Sequence, residues 1–310
     1  MMHLLTLNDW PAELIEEVID HGLYIKRHPL EFVRTMEGRT LLMLFEKPSL
    51  RTRVSFEVGM EQLGGHAIYY DVGASPFGKG KESIADLART TSRYVDAIMA
   101  RTFEHAAIEG LARYATVPVI NGLSNFSHPC QILGDLMTLK EKKQRLAGLK
   151  LVYLGDANNN VTHSLLFACP KVRMHISIGC PAGAAYEPQP EVLATARTLA
   201  RAAETNVEVH HDAAAAVASA DAVYTDSWMS YHIPDHLREE RFAALGPFQV
   251  TTELMAMAKP DAVFMHCLPA QRGVEQTAEV IDGPQSIVFD QAENRLHIQK
   301  AIILKLLGKL

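Results

Sequence analysis

The chain has 310 residues, 48% of them hydrophobic and 21% charged, which predicts two globular domains without a disordered tail. Its net charge of −6 argues against a nucleic-acid surface or a polybasic membrane patch. Cys130, Cys169, Cys180 and Cys267 are too widely spaced for a zinc knuckle or disulfide framework, and with no signal-like N-terminus or membrane-length apolar run the expected location is the cytoplasm.

Pro11 to Val33 reads as a helix, with Leu14, Val18 and Leu23 apolar among acidic residues. Thr40 to Phe45 is a largely apolar run, read as a buried strand that Pro48 stops. Ser49 is suited to cap a helix that Gly64-Gly65 ends. Arg51 and Arg53 then fall in the first turn, where free N–H groups point outward and the dipole is positive. Two arginines have the wrong sign for a purely structural helix start. Either an anion binds there, using the hydroxyls and amides as donors, or both arginines turn to solvent or nearby carboxylates.

His66 to Tyr70 is a short strand, and Asp71 to Lys81 a Gly/Pro-rich loop. Ser83 to Val95 is helical, and Ala97 to Ala100 a strand ending at Arg101. A helix at His105 to Tyr114 leads to a strand at Val117 to Ile120 and a helix from Pro129 to Gln144. The charged stretch Lys140 to Arg145 is the expected boundary, giving domains 1–145 and 146–290. In the second half, strands are expected at Leu149–Leu154, Met174–Gly179, Val207–His210, Asp221–Thr225, Ala262–His266 and, as a last short strand, Ser286–Phe289. Helices at Val161–Ala168, Pro190–Ala203 and Asp290–Leu307 alternate with them.

This alternation predicts an α/β fold of two doubly wound parallel-sheet domains. Ligands bind such sheets beyond the carboxyl ends of the strands. Arg101, Asn121, Asp156, Asp226 and Cys267 each follow an expected strand, so two such edges facing each other would form an interdomain active-site cleft.

His128-Pro129-x-Gln131 can simply cap a helix, or its His and Gln can donate jointly to one small carbonyl-and-amide group. His266-Cys267 can be a buried strand end. A Cys–His nucleophile is the weaker reading there, since neighbours on a strand point to opposite faces. Gly155-Asp156 follows a strand but lacks the glycine fingerprint of dinucleotide sites, which counts against a dehydrogenase. Asn294-Arg295 is expected in the first turn of the last helix, again an arginine at a positive dipole end.

Together S-L-R-T-R at Ser49 to Arg53, H-P-C-Q at His128 to Gln131, H-C-L-P at His266 to Pro269 and E-N-R at Glu293 to Arg295 resemble the signatures of the transcarbamoylases. The resemblance runs nearly end to end and is strongest to the ornithine carbamoyltransferase branch. The aspartate branch carries H-P-L-P where this chain has Cys267, and a loop lysine where it has Gly80.

The resemblance implies a carbamoyl phosphate-binding domain at 1–145, joined by the C-terminal helix 291–310, and an ornithine-binding domain at 146–290. It implies transfer of the carbamoyl group to the δ-amine of ornithine, giving citrulline and phosphate, a step of arginine biosynthesis that needs no metal or organic cofactor. Carbamoyl phosphate would be held by Ser49, Leu50, Arg51 and Thr52 with their amides. Arg101 and His128 would polarise its carbonyl, Gln131 would hold its amide, and Cys267, Leu268 and Arg295 would complete the set. Asn160 would meet the ornithine carboxylate and Asp226 and Ser230 its α-amino group, with Tyr231 in the same ornithine-binding set and able to change which amine fits. An alkylamine of pKa roughly 10.4 costs about 4.6 kcal/mol to present neutral at pH 7. Cys267 with Asp226 behind it is the expected source of part of that.

Two departures from the family pattern stand out. Asp226-Ser227-Trp228-Met229-Ser230-Tyr231-His232 replaces the usual Met-Gly of the closing loop by Tyr231-His232, which raises a different amine, such as an acylated ornithine or a diamine, as the alternative. Around Ser75-Pro76-Phe77-Gly78 there is no glutamine of the kind that reaches a neighbouring subunit in the family's trimers. A homotrimer, or a multiple of one, remains the implied assembly. A non-catalytic anion-binding relative and a nucleotide-binding oxidoreductase are the readings from other classes.

Overall fold

The computed structural model describes residues 1–74, 80–230 and 233–310. Contacts divide the chain into two compact units, Met1–Glu141 with Glu293–Leu310, and Lys142–Ala292.

The first unit runs α1 (Ala12–Arg27), β1 (Thr40–Phe45), α2 (Leu50–Gln62), β2 (His66–Asp71), α3 (Ile84–Thr91), β3 (Ala97–Arg101), α4 (His105–Tyr114), β4 (Val119–Leu123) and α5 (Pro129–Lys143). Its four strands lie in the order β2-β1-β3-β4 and are all parallel, as helical crossovers require. Residues 41–45 of β1 are all buried, which is why the segment reads as a continuous apolar run and not as an alternation. Leu42, Leu44, Ile98, Ala100 and Val119 pack with Leu87, Ile108 and Leu111 in the core beneath one face.

The second unit runs β5 (Lys150–Leu154), α6 (Asn160–Lys171), β6 (His175–Gly179), α7 (Pro190–Ala202), β7 (Val207–His210), α8 (Ala213–Val217), β8 (Ala222–Thr225), α9 (Arg238–Leu245), α10 (Thr252–Met255), β9 (Val263–His266) and α11 (Ala278–Ile281). The strand order is β7-β6-β5-β8-β9, again all parallel. Val152, Leu154, Val223 and Phe264 meet Val217, Phe248 and Ile281 in its core. The last helix is α12 (Val288–Leu306). In each sheet the strand order reverses beside the first strand, between β1 and β3 and between β5 and β8, where open α/β sheets place their ligands. Among the described residues no helix is long and apolar enough to cross a membrane.

Four local expectations are corrected. The first helix stops at Arg27, because Pro29 disfavours helical geometry at His28 and opens a separate 3-10 turn over Pro29–Phe32. Asn121 lies within β4 and not after it. Its N–H donates to the Leu4 carbonyl at 2.8 Å and its side chain to the Leu5 carbonyl at 2.9 Å, a pairing that the Asn-Gly dipeptide masks as a turn. Ser286–Phe289 is not a strand: Ser286 makes one isolated bridge to Phe264, and α12 begins at Val288. A short apolar run fits either element, and here the helix takes it. Arg295 therefore sits about two turns inside α12, beyond the first turn in which a helix dipole acts.

Candidate active site

In the first unit the site is built on the carboxyl ends of β1 and β3. Ser49 is extended, with φ −160° and ψ 112°, and its Oγ accepts the Thr52 N–H at 3.4 Å, so the cap expected from sequence forms. The two arginines of this turn part company. Arg53 pairs with Glu57 at 3.0 Å and lies over the Tyr69 ring at 4.0 Å. Arg51 is half-buried, and among the described residues no carboxylate pairs with it. One arginine braces the fold, while the other keeps its guanidinium clear of the described carboxylates.

Thr52 is the point of convergence. Its hydroxyl accepts from Ser49 Oγ at 3.1 Å, and Arg101 Nη1 and Arg295 Nη2 each approach it at 3.5 Å. Arg295 reaches this place by packing α12 on α5. Asn294 donates to Thr138 Oγ1 at 3.0 Å, and a side chain at Gly134 would meet the Arg295 Cδ at 3.4 Å. Arg295 also donates to Gln131 Oε1, and Gln131 Nε2 to Asp135 Oδ1 at 2.8 Å. Leu50, by contrast, is 74% exposed, so only its backbone can serve a ligand here.

His128 is buried, and its pKa is held well below the ordinary imidazole range, first by burial and then by Arg295, Arg101, Lys47 and Arg51. It is neutral at physiological pH, a donor without charge among cations. Lys47 was passed over by the sequence reading. It is buried, its Nζ lies 4.8 Å above the Phe103 ring, and burial followed by Arg101 lowers it to about 8. The available signal was its place between a strand end and Pro48.

In the second unit Asp226 follows β8 and Cys267 follows β9, and the pairing of Thr225 with His266 sets them side by side. Cys267 Sγ donates to Asp226 Oδ1 at 3.0 Å, and Asp226 Oδ1 also accepts the Ser227 N–H at 2.7 Å. The alternation that would put His266 and Cys267 on opposite faces does not apply, because Cys267 lies beyond the strand and the chain turns there. Leu268 has φ +56°, and its N–H donates to His266 Nδ1 at 2.9 Å. One polar atom from each of Asp226, His266 and Cys267 falls within 4.8 Å of the others. This is the one group of three among the described residues that could contact a metal ion together.

Asn160, half-buried, opens α6 behind the capping Asn159, whose side chain accepts the Thr162 N–H at 2.8 Å. Ser230 is half-buried, and its carbonyl accepts the Ile233 N–H at 2.9 Å. Tyr231 and His232 lie outside the described residues, as do Ser75, Pro76, Phe77 and Gly78. The carboxylate of Asp156, in the turn first compared with dinucleotide loops, is taken by Arg241 of α9, which sequence reasoning had also missed.

Comparison with known proteins assigns both units. Residues 2–141 match the family model for the aspartate/ornithine carbamoyltransferase carbamoyl-P binding domain, and residues 147–306 that for the Asp/Orn binding domain. An ornithine carbamoyltransferase of Thermococcus kodakarensis is 53% identical over 89% of this chain and 86% of its own length. The anabolic ornithine carbamoyltransferase of Pyrococcus furiosus is 50% identical over 98% of this chain and 96% of its own. A solved structure of ornithine carbamoyltransferase from P. furiosus superposes with a TM-score of 0.94 at 49% identity, covering 99% of this chain and 97% of that one. With both units matched and half the residues identical across nearly the whole length, the chain belongs to the aspartate/ornithine carbamoyltransferase family.

Proposed function

We propose that this protein is an ornithine carbamoyltransferase, transferring the carbamoyl group of carbamoyl phosphate to the δ-amine of L-ornithine to give L-citrulline and phosphate. The observation that carries this reading is the set of buried and half-buried cations, Lys47, Arg51, Arg101 and Arg295, around a neutral His128. Ser49, Arg51, Thr52 and the amides of the α2 start, Leu50 included, hold the phosphate. Arg101 and His128 meet the carbamoyl oxygen as it gains charge. His128 donates there without adding a positive charge that would hold back the departing phosphate. Gln131 Oε1, an acceptor now used by Arg295, takes the carbamoyl amide, and Arg295 closes the set.

On the amine side, Asp226 and Ser230 meet the α-amino group and Asn160 meets the carboxylate, with Tyr231 counted in the same ornithine-binding set on the family resemblance alone. Cys267, hydrogen-bonded to Asp226, assists the attacking δ-amine in its loss of a proton, and Cys267 and Leu268 are counted with Arg295 in the carbamoyl phosphate set. The amine nitrogen bonds to the carbamoyl carbon as the carbon–oxygen bond to phosphate breaks. A different amine is not favoured, since relatives named for ornithine are about 50% identical over nearly the full chain. The same reading carries domains 1–145 with 291–310 for carbamoyl phosphate and 146–290 for ornithine, a cytoplasmic homotrimer, and a place in arginine biosynthesis. A light-scattering mass three times that of the chain, or a multiple of that mass, is expected for the assembly.

The test is a carbamoyl-phosphate-dependent assay across ornithine, acetylornithine, succinylornithine, putrescine and aspartate. Turnover with ornithine is expected; activity confined to another amine, or to none, refutes the reading.

A further inference from the structure

Arg241 is buried in the second unit, yet it belongs to none of the family motifs read from the sequence. Its Nε donates to the Trp228 carbonyl at 3.0 Å, its Nη2 donates to Asp156 Oδ2, and its guanidinium lies 5.2 Å from the centre of the Tyr186 ring. Three segments therefore meet on one side chain: those that follow β5, β6 and β8. They are also tied to one another. The Ala157 N–H donates to the Tyr186 carbonyl at 2.8 Å, and the Asn158 side-chain amide to the Ala184 carbonyl at 3.2 Å. Trp228 is buried against Gly155, where a side chain would come within 3.2 Å of the indole Nε1.

We infer that Arg241 is a positioning residue for the amine substrate: it anchors Trp228 to Asp156 and thereby sets where Asp226 and Ser230 present their side chains. Trp228 is two residues from each of them, and β5 and β8 flank the reversal in strand order. A planar guanidinium serves a carbonyl and a carboxylate in two directions at once, whereas an ammonium is a single point of charge. The Asp156 carboxylate, buried itself, keeps the guanidinium from turning away. The inference rests on the ornithine reading of Asp226.

The test compares Arg241→Met and Arg241→Lys with the parent in the intact protein. Trp10→Phe is made in all three, so that Trp228, the other of the two tryptophans, is the sole indole reporter. The ornithine KM is expected to rise about tenfold or more, with the carbamoyl phosphate KM within about twofold. Acrylamide quenching of Trp228 is expected to increase by about twofold. A folded variant whose ornithine KM stays within about twofold of the parent, or whose two KM values rise together, overturns the proposal. If the Met variant does not fold, the Lys variant supplies every readout. If the parent itself does not turn over ornithine, it is the functional reading that fails. Trp228 quenching then decides the anchoring, and quenching unchanged in the Lys variant overturns it.

Discussion

Replacing Lys47 by Met is expected to make the ligand-free protein more stable while weakening its hold on anions. Lys47 is 7% exposed, and burial followed by the Arg101 guanidinium lowers its ammonium from 10.5 to about 8. That lowering corresponds to about 3 kcal/mol against the charged form at neutral pH, so the apolar variant is expected to gain at most about 3 kcal/mol in urea unfolding at pH 7. The direction with pH follows. Unfolded lysine keeps its proton to about 10.5 and the folded group loses it near 8, so parent stability rises with pH across that interval. The variant lacks this rise.

An anion reverses the balance, because a unit charge at about 4 Å interacts by about 4 kcal/mol at an effective dielectric of about 20. In the parent, each pH unit above 8 lowers phosphate affinity by up to about tenfold as Lys47 deprotonates, until the bound ammonium itself titrates. Calorimetric titration with inorganic phosphate in buffers of different ionisation enthalpy measures both the affinity and the proton uptake. A Lys47→Met protein that is less stable than the parent and binds phosphate as tightly would refute the reasoning.

Two further outcomes are expected. Cys267→Ala lowers turnover by about a hundredfold and displaces the pH–rate profile, because the thiol is hydrogen-bonded to Asp226; an unchanged profile would rule out a role for Cys267 in the proton transfer. Glu275 is buried, and desolvation raises its carboxyl from 4.5 to about 6. Its contribution to stability is therefore complete below about 4.5 and lost as pH rises through about 6, so Glu275→Gln should gain about 2 kcal/mol on the parent between pH 4.5 and 7. Urea midpoints at the two pH values measure this, and a constant difference between the proteins contradicts it.

The parts legible in the sequence are those that local rules govern. Ser49 as a cap, Pro129 at a helix start, and the apolar runs of β1, β3 and β5 depend on a few neighbouring residues, and each forms as read. Misreadings fall where a longer-range partner intervenes. Asn121 enters β4 with Leu4 and Leu5 as its partners. Phe289 joins α12 although its neighbourhood also suited a strand.

The sequence by itself determined that two parallel α/β units would form and that arginines and hydrogen-bonding groups would gather where strands end. Hydrophobic periodicity and helix-end chemistry are short-range and repeat in every element. Only the tertiary structure decided which charges those would be. Arg53 is claimed by Glu57 and Tyr69 while Arg51 is not, and Arg295 owes its place to the face of α12 that packs on α5, not to a helix end. Lys47 and Arg241 carry no motif; burial gives them their weight, since a charge removed from water acts strongly on whatever polar groups the fold sets around it. Asp226 and Cys267 are 41 residues apart and become hydrogen-bonded only because β8 and β9 are neighbours in the sheet.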